Sequence, residues 1–144
     1  MRKNVPSIPL LCLIVLVLCA VTPLYADPTD QAIERIKSCT KTAITELGEL
    51  SVGAETIRTA AEAIDSLDRY YAIITRMINE INNIDKEFSS VVNTKKLHAS
   101  LAEIKKQTQA AGQLYGAAMG KLPQTILSAD EFVAVLQKIK DLSM

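Results

Sequence analysis

"IRTAAEAIDSLDRYYAIITRMINEINNIDKEFSSVV", residues 57–92, carries the strongest pattern in the chain. Its apolar residues recur at alternating steps of three and four: Ile57, Ala60, Ile64, Leu67, Tyr71, Ile74, Ile78, Ile81, Phe88 and Val92, with only Asp85 out of step. That spacing is the period of one helix face. A neighbouring column of Ala63, Tyr70, Met77, Ile84 and Val91 widens the face. A single seam would suffice for a two-stranded coiled coil, whereas a wider face needs more than one neighbour. Ser51 reads as the cap of this helix, which then runs from about Ala54 to Val92. Its length would be ~58 Å at 1.5 Å per residue, and a bend is expected at "NEINN", residues 79–83.

The same period extends in both directions. Upstream, "DPTD" (27–30) opens a helix, with Asp27 as cap and Pro28 at the first helical position. Its stripe is Ile33, Ile36, Ala43, Ile44 and Leu47, and it should end near "LGELSVG" (47–53). Downstream, Asn93 and Thr94 supply turn and cap chemistry for a helix over about Lys95–Lys121, with Leu97, Leu101, Ile104, Ala111, Leu114, Tyr115, Ala118 and Leu122 on its stripe. Pro123 stops it. "SADE" (128–131) reads as a capping box for a short last helix, whose apolar face is Phe132, Val135, Leu136, Ile139 and Leu142. No segment alternates with period two, and the aromatic content of 4% is low for a β protein. The expected fold is all-α: an antiparallel helical bundle or elongated helical hairpin of about four helices.

Residues 1–26 differ in kind. Arg2 and Lys3 precede an uncharged run from Ile8 to Leu24, and "PLYA" follows. Basic start, apolar core and small-residue end define a secretory signal peptide, leaving residues 27–144 as a single exported α-helical domain. Ala26 is the first cleavage candidate; Ala20 is the second, because Leu24 is bulky for the position two before the cut. A retained anchor is the alternative, although a run of about 17 residues is at the short limit for a span. Leu11 before Cys12 and Leu18 before Cys19 argue against lipidation. The expected location is the bacterial periplasm or the secreted fraction.

Removing the signal also removes two of the three cysteines. Cys39 then stands alone, which excludes a disulfide-stapled scaffold and leaves a thiol either buried beside Ile36 and Ala43 or available for an intermolecular bond. Residues 27–87 hold 12 acids and 7 bases, and residues 88–144 hold 4 acids and 7 bases. This balance lacks the positive footprint of a nucleic-acid binder. It favours antiparallel packing of the two ends or head-to-tail association.

Gly112, Gly116 and Gly120 recur at every fourth position in "GQLYGAAMG" (112–120). Each glycine costs a helix interior about 1 kcal/mol against alanine, so the stripe asks for a reason. The flanking "KKQTQ" and Lys121 are incompatible with a membrane span, and the surrounding alanines favour helix over break. Close approach of another helix remains, first within the chain, then in a homo-oligomer, and last through rearrangement at a membrane.

Catalytic chemistry is sparse. His98 is the only histidine. Paired with Cys39 it would lack a third orienting group, and paired with Met77 it offers only a remote haem ligand set. No metal-ligand spacing or phosphate loop is present. Glu62, Asp65 and Asp68 read as a solvated face compensated by Arg58 and Arg69. Lys95, Lys96, Lys105 and Lys106 form a basic patch able to meet an acidic partner or an anionic lipid surface. The sequence therefore points to a non-enzymatic exported protein without cofactor, acting through protein–protein contacts as an adaptor, inhibitor, immunity-type or secretion-accessory factor. A membrane-active or lipid-binding bundle is the alternative.

Overall fold

The computed structural model describes residues 27–141. The expected signal segment, both cleavage candidates and Leu142 lie outside the described residues. Among the described residues the chain is helical without strands: α1 (Pro28–Gly53), a 3-10 turn (Ala54–Thr56), α2 (Ala60–Phe88), α3 (Thr94–Gly120), the single turn α4 (Gln124–Leu127) and α5 (Asp130–Asp141).

Local chemistry sets these boundaries. At the start of α1 the Asp27 carboxylate accepts the Thr29 N–H at 2.8 Å, and Pro28 occupies the first turn, where no backbone donor is needed. Ser51 does not cap the next helix, because it lies inside α1 and its hydroxyl donates to the Leu47 carbonyl at 2.8 Å. The break comes later. Ile57 and Thr59 take extended backbone, and a capping box closes at Thr59 and Glu62. The Glu62 N–H donates to Thr59 Oγ1 at 3.2 Å, while the Glu62 carboxylate accepts the N–H groups of Thr59 and Arg58 at 3.1 and 2.7 Å. These donors hold its pKa below the ordinary value of 4.5. As a result α2 has 29 residues, ~43 Å by its rise, rather than the longer rod expected from the stripe.

The Asn93 side chain caps α3 by accepting the Lys96 N–H at 3.1 Å. The capping box expected at "SADE" does not form. The Ser128 hydroxyl donates back to the Gln124 carbonyl at 2.7 Å, completing α4, and α5 starts at Asp130.

α1 is the central element and packs against both α2 and α3. α2 runs antiparallel to it, as ion pairs from Arg35 to Glu80 and Glu87 and from Arg76 to Glu46 require. α1 and α3 run parallel, with their first turns together. The Asn93 N–H donates to Thr29 Oγ1 at 2.9 Å, and Lys96 bridges Asp27 and Asp30 at 3.3 and 2.6 Å. Acidic and basic halves thus meet between parallel neighbours, through one lysine, rather than through antiparallel ends. α5 packs on α2.

Two apolar clusters fill the bundle. The larger joins Leu47 and Leu50 of α1, Leu67 of α2, Tyr115 and Met119 of α3, and Phe132 of α5. The smaller, at the opposite end, joins Ile36, Ile84, Phe88 and Ile104. Leu47 is fully buried, and a leucine in that position contributes about 1.5–3 kcal/mol. The inward face of α2 is turned from the column read in the sequence. Ser66 and Ile73 are buried, whereas Tyr71 and Ile78, expected on the central stripe, are exposed. Leu114 of α3 is likewise exposed, although its spacing fits the stripe.

Candidate interaction groove

Four elements line an apolar groove of about 320 Å³. α3 supplies its floor with Gly112, Gly116 and Gly120; α2 supplies Leu67 and Tyr70; α5 supplies Phe132, Leu136 and Ile139; and Leu127 of α4 also lines it. None of the lining side chains is charged. Nor does α3 carry a charge anywhere from Gln107 to Gly120. The next cation on this face by helical register is Lys105, seven residues before Gly112, or ~10 Å along the axis.

The glycine stripe, expected to receive another helix, meets a neighbour at one position and open space at two. A Cβ built at Gly116 or Gly120 meets nothing within 4 Å. At Gly112 it would lie 3.7 Å from the Tyr70 hydroxyl, an ordinary contact. The glycines deepen a groove that the described residues leave unfilled.

A rigid aromatic anchor fixes its inner edge. The Tyr70 and Tyr115 rings stack with centroids 4.7 Å apart and planes 8° from parallel. Buried Ser66 and Tyr115 share a hydrogen bond of 2.9 Å between their hydroxyls. Burial pushes the Tyr115 hydroxyl above its ordinary value of 10.0, against the opposing effect of the Ser66 bond. This pair ties α2 to α3 where the helix backbones stand apart. Periodicity missed Ser66 because a serine carries no apolar weight, yet it lies three residues after Ala63 and four before Tyr70, on the buried side.

The remaining sequence candidates are scattered. Cys39 is half-buried against Arg76, Met77 and Glu80 of α2, and its thiol donates to the Ile36 carbonyl at 3.3 Å. Burial pushes its pKa above 9.0, which disfavours the thiolate a nucleophile needs. His98 is exposed near the start of α3, and Met77 packs on the larger cluster. The basic patch is divided. Lys96 is engaged by Asp27 and Asp30, whereas Lys95, Lys105 and Lys106 are exposed and make no ion pair among the described residues. Arg58 does not reach Glu62 with its side chain, which instead donates to the carbonyls of Glu55 and Ile57. Among the described residues, no group of three or more His, Cys, Asp or Glu is placed to hold a metal ion. No helix among them is long and apolar enough to cross a membrane.

A larger hollow of about 550 Å³ lies on the other flank of α3, against α1. Its mouth carries Lys37, Lys41 and Glu103, and its buried Thr40 hydroxyl already donates to the Ile36 carbonyl. No buried polar group there is left to orient a ligand, so the uncharged groove is the better-defined surface. Compared with family models, curated proteins and solved structures, the chain matches none.

Proposed function

We propose that this protein is exported and non-enzymatic, and that it binds another protein by receiving an apolar helical face in the groove floored by Gly112, Gly116 and Gly120. The observation that carries this reading is the uncharged, glycine-floored groove left open among α2, α3, α4 and α5. Glycines let large side chains of an incoming helix sit close to the α3 backbone, and burying that apolar area drives association. Charge narrows the partner. A Lys or Asp directed into this lining would lose water without gaining a counter-ion, which is costly. Lys105, further along the same face, complements an acid about two turns from the apolar contact.

Photocrosslinking in the producing cell tests this proposal, with Gly116 replaced by benzoylphenylalanine. A discrete adduct with another protein is the expected result, and Lys105→Glu should diminish it. An adduct of twice the chain mass would instead make the groove a homo-oligomer interface. Adducts with lipid alone would favour the membrane-active alternative. No adduct at all would overturn the docking reading.

A further inference from the structure

Asp85 is the one charged member of the strongest apolar stripe in the sequence. The structure places it on the lining of a separate hollow of about 240 Å³, at the end of the bundle away from the glycine groove. Ile36 of α1, Ile84 and Phe88 of α2 and Leu101 of α3 give this hollow an apolar floor. Its volume falls below the ~300–1,000 Å³ that holds a drug-sized molecule, so an occupant must be small.

The polar lining is gathered at the mouth. Asn82, Asp85 and Ser89 follow at steps of three and four along the end of α2, which stacks them on one face. Thr94 adds a hydroxyl from the start of α3. All four residues are exposed, whereas Ile36, Ile84 and Phe88 are buried. None of the four side chains makes a hydrogen bond or ion pair among the described residues. Glu80 and Glu87, on the same helix, are both paired with Arg35, while Asp85 keeps its charge uncompensated. No Lys, Arg or His lines the hollow.

We propose that this hollow binds a small hydrophobic primary ammonium, with its hydrocarbon on the apolar floor and its nitrogen at the Asp85 carboxylate. The floor takes hydrocarbon out of water. The lone carboxylate selects a cation over an anion. A primary ammonium has three N–H donors and no acceptor, which matches the acceptor oxygens of Asn82, Asp85 and Ser89; a quaternary ammonium has no donor to offer them. The site is separate from the glycine groove, and its reading does not depend on docking there.

Titration of the isotopically labelled full chain with hexylammonium, followed by amide chemical shifts, tests the proposal. Shifts are expected in residues 81–89 and 97–101 and not in residues 112–120. Each buried methylene adds roughly fourfold in affinity, so butylammonium should bind at least about fivefold more weakly. Asp85→Asn changes an exposed side chain at nearly constant shape. Because the mouth is solvated, it should weaken hexylammonium about two- to fivefold, and raising salt from about 20 to about 500 mM should remove most of that difference. Hexanoate and hexyltrimethylammonium should both bind more weakly than hexylammonium. Absence of shifts in residues 81–89 and 97–101 would overturn the proposal. So would equal binding of hexanoate, or unchanged hexylammonium affinity in an Asp85→Asn protein of native ellipticity. Equal binding of hexyltrimethylammonium would overturn the assignment to a primary amine.

Discussion

Gly116→Ala separates a groove from a helix contact by the sign of its effect. A methyl group at Gly116 meets nothing within 4 Å, so the described arrangement accepts it without displacement. The gain then comes from the chain itself. Alanine in a helix interior is better than glycine by about 0.8–1 kcal/mol, partly because the unfolded state loses conformational freedom. We expect the variant to be more stable by about 0.5–1 kcal/mol, a rise of roughly 2–6 °C in Tm for a domain of this size. Gly112→Ala should behave alike, since the Tyr70 hydroxyl is 3.7 Å from the new atom. Gly116→Leu should also stabilise, with its side chain lying along the apolar groove. Urea melts followed by helical ellipticity at 222 nm measure this, with an unchanged m-value as the check that the unfolding reaction is the same. A loss of 1 kcal/mol or more in Gly116→Ala would refute the reasoning, because something would then have to lie against that position permanently. Gel filtration at low and high concentration would show whether a second copy is responsible.

Other expectations follow from single contacts. Ser66→Ala leaves the Tyr115 hydroxyl without its 2.9 Å partner in a buried setting, which should cost about 1–3 kcal/mol. Adding Tyr115→Phe should recover part of that loss in a double-mutant urea series, and strict additivity would deny the bond. Glu62 and Asp27 both cap helices, and both carry pKa values depressed below 4.5 and 3.8 by backbone donors, with Lys96 adding to the effect at Asp27. Their contribution is fully present above those ordinary values and is lost as pH falls through them into the lower folded values. Helix melts should therefore show stability falling below about pH 4.5, less steeply in Glu62→Gln. Cys39→Ser should change stability by less than about 1 kcal/mol, because a hydroxyl can make the same bond to the Ile36 carbonyl; unfolding of that variant at 25 °C would contradict the half-buried placement.

Helix content and order were legible in the sequence because they depend on periodicity and on short-range chemistry. Asp27 with Pro28, Asn93 before α3 and Pro123 after it act within a turn of their own positions, and the structure uses each one. The capping box at Thr59 and Glu62 was equally local, but an apolar stripe running through it masked the break. What lay beyond the sequence was rotation and partnership. A wide stripe does not say which of its columns faces inward, and only packing against the other helices turned Ser66 and Ile73 inside while leaving Tyr71 and Ile78 outside. Ser128 had two acceptable bonds within reach, and formation of α4 chose the backward one. The glycines showed where close approach was permitted. Whether the space above them was filled depended on where α5 came to rest, and packing placed it on α2 instead. Short-range hydrogen bonds and periodicity are written residue by residue, whereas burial is shared among helices distant in the chain and is settled only when all of them are in place.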